Sequence, residues 1–205
     1  GCENWSMPLA FYKKDPFLGA FYLSLVEILG EKKADQFFEA QGIEVGCQAN
    51  EKIWESLVEI IDHTGILLAK EFGEQAARGL LIRSGRASVI FLRHMIDRIA
   101  MLGSLENRLE PINRRFQNAL KTLASEWEER TGVESVIEQE SSRRFLWKMK
   151  LESNPQDEYY FPYFLLGILE EFCSWLDARK KYSLAYSGVD RCKKMEILLD
   201  IHSFE

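Results

Sequence analysis

Apolar and polar positions along this chain follow two rhythms. From Phe17 to Arg130 the apolar residues recur at helical spacing, and from Val133 onward they alternate with polar ones. Asp15-Pro16 marks the first helix start, with proline at an early position where its missing N–H is harmless. The pattern predicts a helix over Phe17 to Leu29 ended by Gly30, then a short one over Glu31 to Ala40 stopped by Gly42. After a loop over Ile43 to Ala49, Asn50 is positioned to cap a helix from Glu51 to Phe72. Its stripe is Ile53, Trp54, Leu57, Ile60, Ile61, Leu67 and Leu68, with Gly65 as a candidate kink point. Glu74 to Leu102 reads as one helix, Gly103 to Glu110 as a loop, and Pro111 to Arg130 as a helix stopped by Thr131-Gly132.

The second rhythm predicts a hairpin, with strands over Val133 to Gln139 and Arg144 to Leu151 and Ser141-Ser142 at the turn. A polar loop around Asn154-Pro155-Gln156-Asp157 leads to a last helix, Phe161 to Lys180. A second strand pair, Tyr182 to Tyr186 and Lys193 to Ile201, closes around a turn at Gly188. The fold class expected is therefore α+β: N-terminal helices packed on a C-terminal antiparallel sheet of about four strands, in the order β-β-α-β-β. No repeat or long linker divides the chain. One domain over 1–205 is expected, with an N-terminal arm (1–15), a helical part (16–132) and a sheet part with one helix (133–205).

One stretch departs from ordinary helix composition. GEQAARGLLIRSGRAS, Gly73 to Ser88, carries small and basic residues where a core helix carries large aliphatic ones. Ala76, Ala77, Gly79, Ser84, Gly85, Ala87 and Ser88 leave two faces nearly bare. A glycine inside a helix costs about 1 kcal/mol relative to alanine, so Gly79 and Gly85 need a reason. The usual reason is close approach of another backbone or of a bound molecule.

This block, followed by VIFLRH, resembles the central helix of the 4-vinyl-reductase, or predicted hydrocarbon-binding, domain family. Gly167-Ile168-Leu169-Glu170-Glu171-Phe172-Cys173-Ser174-Trp175 resembles that family's later helix, which pairs a glycine with a tryptophan. Ser187-Gly188-Val189-Asp190-Arg191-Cys192 is similar to its closing turn, and Phe38-Glu39-Ala40-Gln41-Gly42-Ile43 to a short helix end upstream. The motifs occur in the family's order over most of the chain. The resemblance implies an α+β fold shared with Golgi-transport tethering proteins and nitric-oxide-sensing domains, often dimeric through helices. It also implies comparison with a zinc site of one Glu and three Cys. Only Cys192 matches it. Leu184 and Lys181 stand at the cysteine and glutamate positions, and Phe161 to Tyr163 offer no thiol. Zinc needs four ligands of the softer kind. No metal site is expected.

Composition narrows the function further. The 205 residues suit a single sizeable core, and 46% apolar with 28% charged is ordinary for a globular chain. Thirteen Phe, seven Tyr and five Trp point to a large aromatic core or a ring-lined pocket. A net charge of −6 argues against nonspecific nucleic-acid binding, which needs basic surface. Arg114-Arg115 and Arg143-Arg144 read as solvated charges. No run is apolar enough to span a membrane. Gly1 reads as a cloning remnant with no hydrophobic leader in view, and a trimmed N-terminus whose Cys2 was once acylated is the alternative. Cys47, Cys173 and Cys192 share no close spacing, so a reducing cytoplasm is expected.

Catalytic signatures are missing. His63 beside Asp62 reads as a surface residue, His202 as part of the tail, and His94 as a lone histidine without the orienting partner that catalysis needs; no nucleophile elbow, phosphate loop or H-E-x-x-H motif occurs. Glu128-Glu129 and Glu170-Glu171 read as solvated faces, since adjacent helical residues point apart. The best-supported function is a noncatalytic binding domain for a small hydrophobic molecule such as a lipid, pigment precursor or aromatic hydrocarbon. No cofactor is expected, and the partner beside the ligand is a second copy of the chain. The candidate pocket comprises Gly79, Arg83, Gly85, Phe91, His94, Met95, Trp127, Trp147, Phe164 and Trp175. A filled aromatic core is the alternative for the rings. Two other functions stand beside the lead: a homodimeric scaffold using the small-residue helix for helix–helix contact, and an auxiliary role in tetrapyrrole metabolism. An apolar void beside Gly79 to His94 favours the ligand, a solid core the scaffold.

Overall fold

Asp15 opens the helical part by accepting the Leu18 N–H on its side chain at 3.1 Å, and Pro16 sits in the first turn. The computed structural model describes residues 15–43, 57–142, 144–150, 160–177, 180–182, 184–189, 194–200 and 203–204. Within them α1 (Pro16–Leu29), α2 (Glu31–Glu39), α3 (Leu57–Phe72) and α4 (Glu74–Met95) follow in order. Then come α5 (Asp97–Met101), α6 (Leu105–Leu109) and α7 (Ile112–Thr131). Gly132, left-handed at φ 72°, ends α7 and the helical part. Every described strand lies beyond it. The hairpin is β1 (Ser135–Gln139) and β2 (Arg144–Lys150), followed by α8 (Phe161–Leu176). The strands β3 (Lys181–Tyr182), β4 (Ala185–Val189), β5 (Lys194–Asp200) and β6 (Ser203–Phe204) complete the chain.

The sheet is antiparallel with order β1-β2-β5-β4, and β3 pairs with β6 as a separate two-stranded ribbon. The fold is α+β. In β2 the alternation is resolved by burial: Phe145, Trp147 and Met149 face the core, while Arg144 and Lys150 face water. The helical core centres on α1, α4 and α8. Phe17 meets Trp127 edge-on at 4.8 Å, Phe21 meets Phe164 at 5.1 Å, and Trp127 lies 5.5 Å from Phe161.

Several boundaries differ from the sequence expectation. The helix read over Glu74 to Leu102 breaks at Ile96, which adopts extended backbone (φ −121°, ψ 107°) and buries its side chain. The segment read as a loop after Gly103 holds the short helix α6, capped by Ser104 onto the Asn107 N–H at 3.4 Å. The last helix stops at Leu176 rather than Lys180. The strand expected over Tyr182 to Tyr186 is divided between β3 and β4. Gly188 is no turn residue: it lies within β4, beside a register shift against β5. Gly65 does not end or divide α3. It admits the Tyr160 ring, since a Cβ there would fall 2.3 Å from Tyr160 Cβ. Asn50, Cys2, Cys47, Cys192 and His202 lie outside the described residues. No described helix is long and apolar enough to cross a membrane.

Candidate functional site

The small-residue block is the place where three helices approach most closely. A Cβ on Gly85 would lie 2.0 Å from Phe164 O and 3.0 Å from Gly167 Cα, and one on Gly167 would lie 2.0 Å from Ile82 O. The two glycines therefore face each other across the α4–α8 crossing, backbone against backbone. The other bare face of α4 meets α1. Ser24 Oγ donates to Phe21 O at 2.6 Å, so the 2.5 Å contact between the two hydroxyls is a bond donated by Ser84. Ser88 Oγ lies 2.8 Å from Ser84 O and 3.2 Å from Ala20 O. The small side chains are thus used up by helix packing, and the hydroxyls buried there are all satisfied.

This geometry corrects much of the pocket read from the sequence. Gly79, Arg83 and His94 are exposed, and nothing lies within 4 Å of a Cβ built on Gly79. They line no interior space. Trp127, Trp147 and Phe164 are fully buried in a filled aromatic core. The Nε1 groups of both tryptophans have no acceptor among the described residues. Gly85 faces the α8 backbone. Phe91 and Met95 are half-buried at the edge of the core. Of the ten, Trp175 lines a cleft of ligand size among the described residues.

That cleft lies where α4, α7 and α8 meet the α5–α6 connection. It encloses about 400 Å³ and is lined by Arg93, Leu102, Gly103, Arg108, Arg115, Trp175 and Leu176. Trp175 is held in place from several sides. The Arg93 guanidinium lies 4.1 Å from its ring centroid, and Phe172 packs edge-on at 5.8 Å. Gly103 abuts the indole so closely that a Cβ there would sit 2.6 Å from Trp175 Cζ2. Arg115 is no solvated charge: it is half-buried, and its Nη1 donates to Leu176 O, at the C-terminal end of α8, at 2.7 Å. Its Nε is buried without a partner among the described residues. Arg108 is exposed on α6 and has no ion pair among the described residues. Three guanidinium groups and one indole thus converge on a cleft with no carboxylate in its described lining. The sequence reading missed Leu102, Gly103, Arg93, Arg108, Arg115 and Leu176.

Other ionisable groups are structural. Glu170, expected on a solvated face, is buried and receives both Nε (3.0 Å) and Nη2 of Arg86. Glu126 is buried between Arg98 (3.1 Å) and Arg130 (2.9 Å). Asp62 accepts the Tyr160 and Phe161 N–H groups at 2.9 and 2.7 Å, at the start of α8. Burial pushes its carboxyl up to about 7, against the opposing pull of those two N–H groups. Burial also pushes the Cys173 thiol up to about 12, helped by Glu170 and Asp177. No group of three or more His, Cys, Asp or Glu side chains placed to hold a metal occurs among the described residues.

No family model matches the chain, and no curated protein matches it. Solved structures do. An oxygen-binding H-NOX domain related to soluble guanylate cyclases, in its oxygen complex, superposes with a TM-score of 0.61 at 9% identity, covering 94% of this chain and 97% of that one. A single-residue variant of Tt H-NOX gives 0.59 at 10% identity, covering 94% and 98%. A mutant of T. Tengcongensis H-NOX gives 0.59 at 11% identity, covering 91% and 96%. The likeness extends over nearly the full length of both chains and shows a shared fold.

Proposed function

We propose that this chain is a noncatalytic binding domain that holds one small molecule with an apolar body in the Trp175 cleft, in a sensor or carrier role. The observation that carries the reading is the cleft itself. Its volume, about 400 Å³, lies within the roughly 300–1,000 Å³ typical of small-molecule sites, and a rigidly held indole forms its wall. The fold supports the reading, since one H-NOX domain of this fold binds oxygen. The 4-vinyl-reductase resemblance favours a hydrophobic ligand. Two of the four motifs behind it lie on α4 and α8, where Gly85 and Gly167 face each other, and Trp175 ends the second of them. We read the chain as one domain working in a reducing compartment, where the buried Cys173 stays a free thiol.

Haem, whose distortion is studied in H-NOX domains of this fold, does not fit the described residues. Both described imidazoles, His63 and His94, are exposed to water. The Cys173 thiol is held neutral by its surroundings, whereas a metal takes the thiolate. The enclosed space beside it, lined by Phe116, Leu120, Leu123 and Phe172, is about 10 Å³, room for a single water.

Native mass spectrometry of the purified protein tests the reading. The expected result is a one-to-one noncovalent adduct that Trp175→Leu removes while the fold persists. An adduct equally abundant in Trp175→Leu would refute the cleft as its site.

A second reading is favoured by a separate observation. Met101, Leu105 and Leu109 are 65%, 74% and 80% exposed on α5 and α6, an apolar patch that a second copy would cover. We propose that the homodimer forms there.

A further inference from the structure

The cleft has a sign as well as a shape. Arg93, Arg108 and Arg115 reach it from three different helices, on a chain whose net charge is −6. Arg108 and Arg115 have no ion pair among the described residues, so bringing their charge together there costs self-repulsion unless something negative arrives. Arg115 is fixed in the lining by a separate contact: its Nη1 donates to Leu176 O at 2.7 Å, which holds the half-buried guanidinium at the cleft. Arg108 stands at the exposed side of the cleft with no ion pair among the described residues. Trp175 and Leu102 supply the apolar part of the lining, and the Gly103 backbone abuts the ring from one side.

Resting on the binding reading above, we propose that the ligand is a soluble amphipathic anion. An oxyanion head, carboxylate or phosphate, is gripped by Arg108 and Arg115, and a planar apolar body lies on Trp175. Guanidinium is the cation suited to the head, because its fork of donors matches two oxygens of one oxyanion. Arg93 plays a different part: stacked on the indole, it fixes the ring and adds positive charge. Concavity assigns the head to a free molecule rather than to a membrane surface. A lipid headgroup in a bilayer cannot bring its apolar part against Trp175 without leaving the membrane.

Two fluorescent probes that differ only in charge separate head from body: anilinonaphthalene sulfonate and its uncharged relative N-phenyl-naphthylamine. The wild-type chain is expected to bind both saturably, and Trp175→Leu to weaken both. Arg108→Gln is expected to weaken the sulfonate about tenfold, the worth of one charge-assisted hydrogen bond, and to leave the neutral probe unchanged. Arg83→Gln removes the same charge from an exposed site outside the cleft and is expected to change neither. If Arg108→Gln leaves sulfonate affinity within about twofold of wild type, the anion proposal is overturned while neutral-probe binding keeps the cleft as a binding site. If neither probe responds to Trp175→Leu, the binding reading itself falls. Sedimentation with phosphatidylserine vesicles that Arg108→Gln abolishes would overturn the soluble source and assign the head to lipid.

Discussion

Replacing Gly85 by alanine adds one methyl group, and two effects of opposite sign follow. Helix propensity favours alanine by about 1 kcal/mol. Packing opposes it. The new Cβ would lie 2.0 Å from Phe164 O, 2.8 Å from Ile168 N and 3.0 Å from Gly167 Cα, where ordinary contact begins at 3.4 Å. All three are backbone atoms, so no side chain can rotate away. The α4 and α8 axes must separate by more than an ångström, which loosens the contacts of Leu81, Val89, Leu165 and Ile168, all buried. Overpacking of this kind costs about 1–3 kcal/mol, and rigid backbone places the site at the upper end. With the propensity gain subtracted, the net loss is about 2 kcal/mol, or roughly 4–8 °C in Tm for a chain of this size. Gly79→Ala is the internal reference. It lies on the same helix, gains the same propensity, and its Cβ meets nothing within 4 Å. It should raise stability by up to about 1 kcal/mol. Thermal and urea unfolding of the two variants side by side decide the matter. A shift of the same sign in both would refute the packing argument.

Gly167→Ala should lower stability as Gly85→Ala does, because its Cβ would lie 2.0 Å from Ile82 O; the double variant should cost less than the sum, since one separation relieves both clashes. Asp62, held near 7 in the fold against its ordinary 3.8, binds a proton more tightly when folded. Its contribution to stability is therefore greatest below about pH 4 and is lost as pH rises towards 7, so Asp62→Asn should gain on wild type across that window in urea titrations. A pH-independent difference between the two would contradict the assignment. Cys173, as the sole remaining cysteine in a variant with the other three changed to serine, should resist a thiol reagent at pH 8 until the chain is unfolded, since burial holds its thiol near 12. Light scattering at micromolar concentration should give a dimer, and Leu109→Glu, which puts a charge into the exposed apolar patch, should give a monomer; a wild-type monomer refutes that face as a dimer contact.

The fold was legible where local chemistry and tertiary structure agree. Asp15-Pro16 starts a helix, Gly132 ends one in left-handed backbone, and the alternation after it is a sheet with Phe145, Trp147 and Met149 inward. The break at Ile96 was not legible. No glycine or proline marks it, and the extended residue is fixed by burying its side chain, which is a tertiary event. The meaning of Gly85 was half legible. Its missing side chain announced a close neighbour, but that the neighbour is Gly167 depends on a helix some eighty residues later. The cleft was least legible. Arg93, Arg108 and Arg115 fall on three separate elements some sixty residues or more before Trp175, and each alone reads as a surface charge. Only the course of the chain after Ile96 brings them together around Trp175. No local sequence signal could have found them.

The central claim is that a small molecule binds at the Trp175 cleft and not in the aromatic core. Indole N–H signals in a two-dimensional nitrogen–proton spectrum test it most directly, because the chain has only five tryptophans and Trp175→Phe assigns the decisive one. On titration with anilinonaphthalene sulfonate, the account predicts that the Trp175 signal moves progressively to saturation while those of Trp127 and Trp147, both fully buried, stay in place. Movement of Trp127 or Trp147 with Trp175 unmoved would place the ligand in the core and contradict the account.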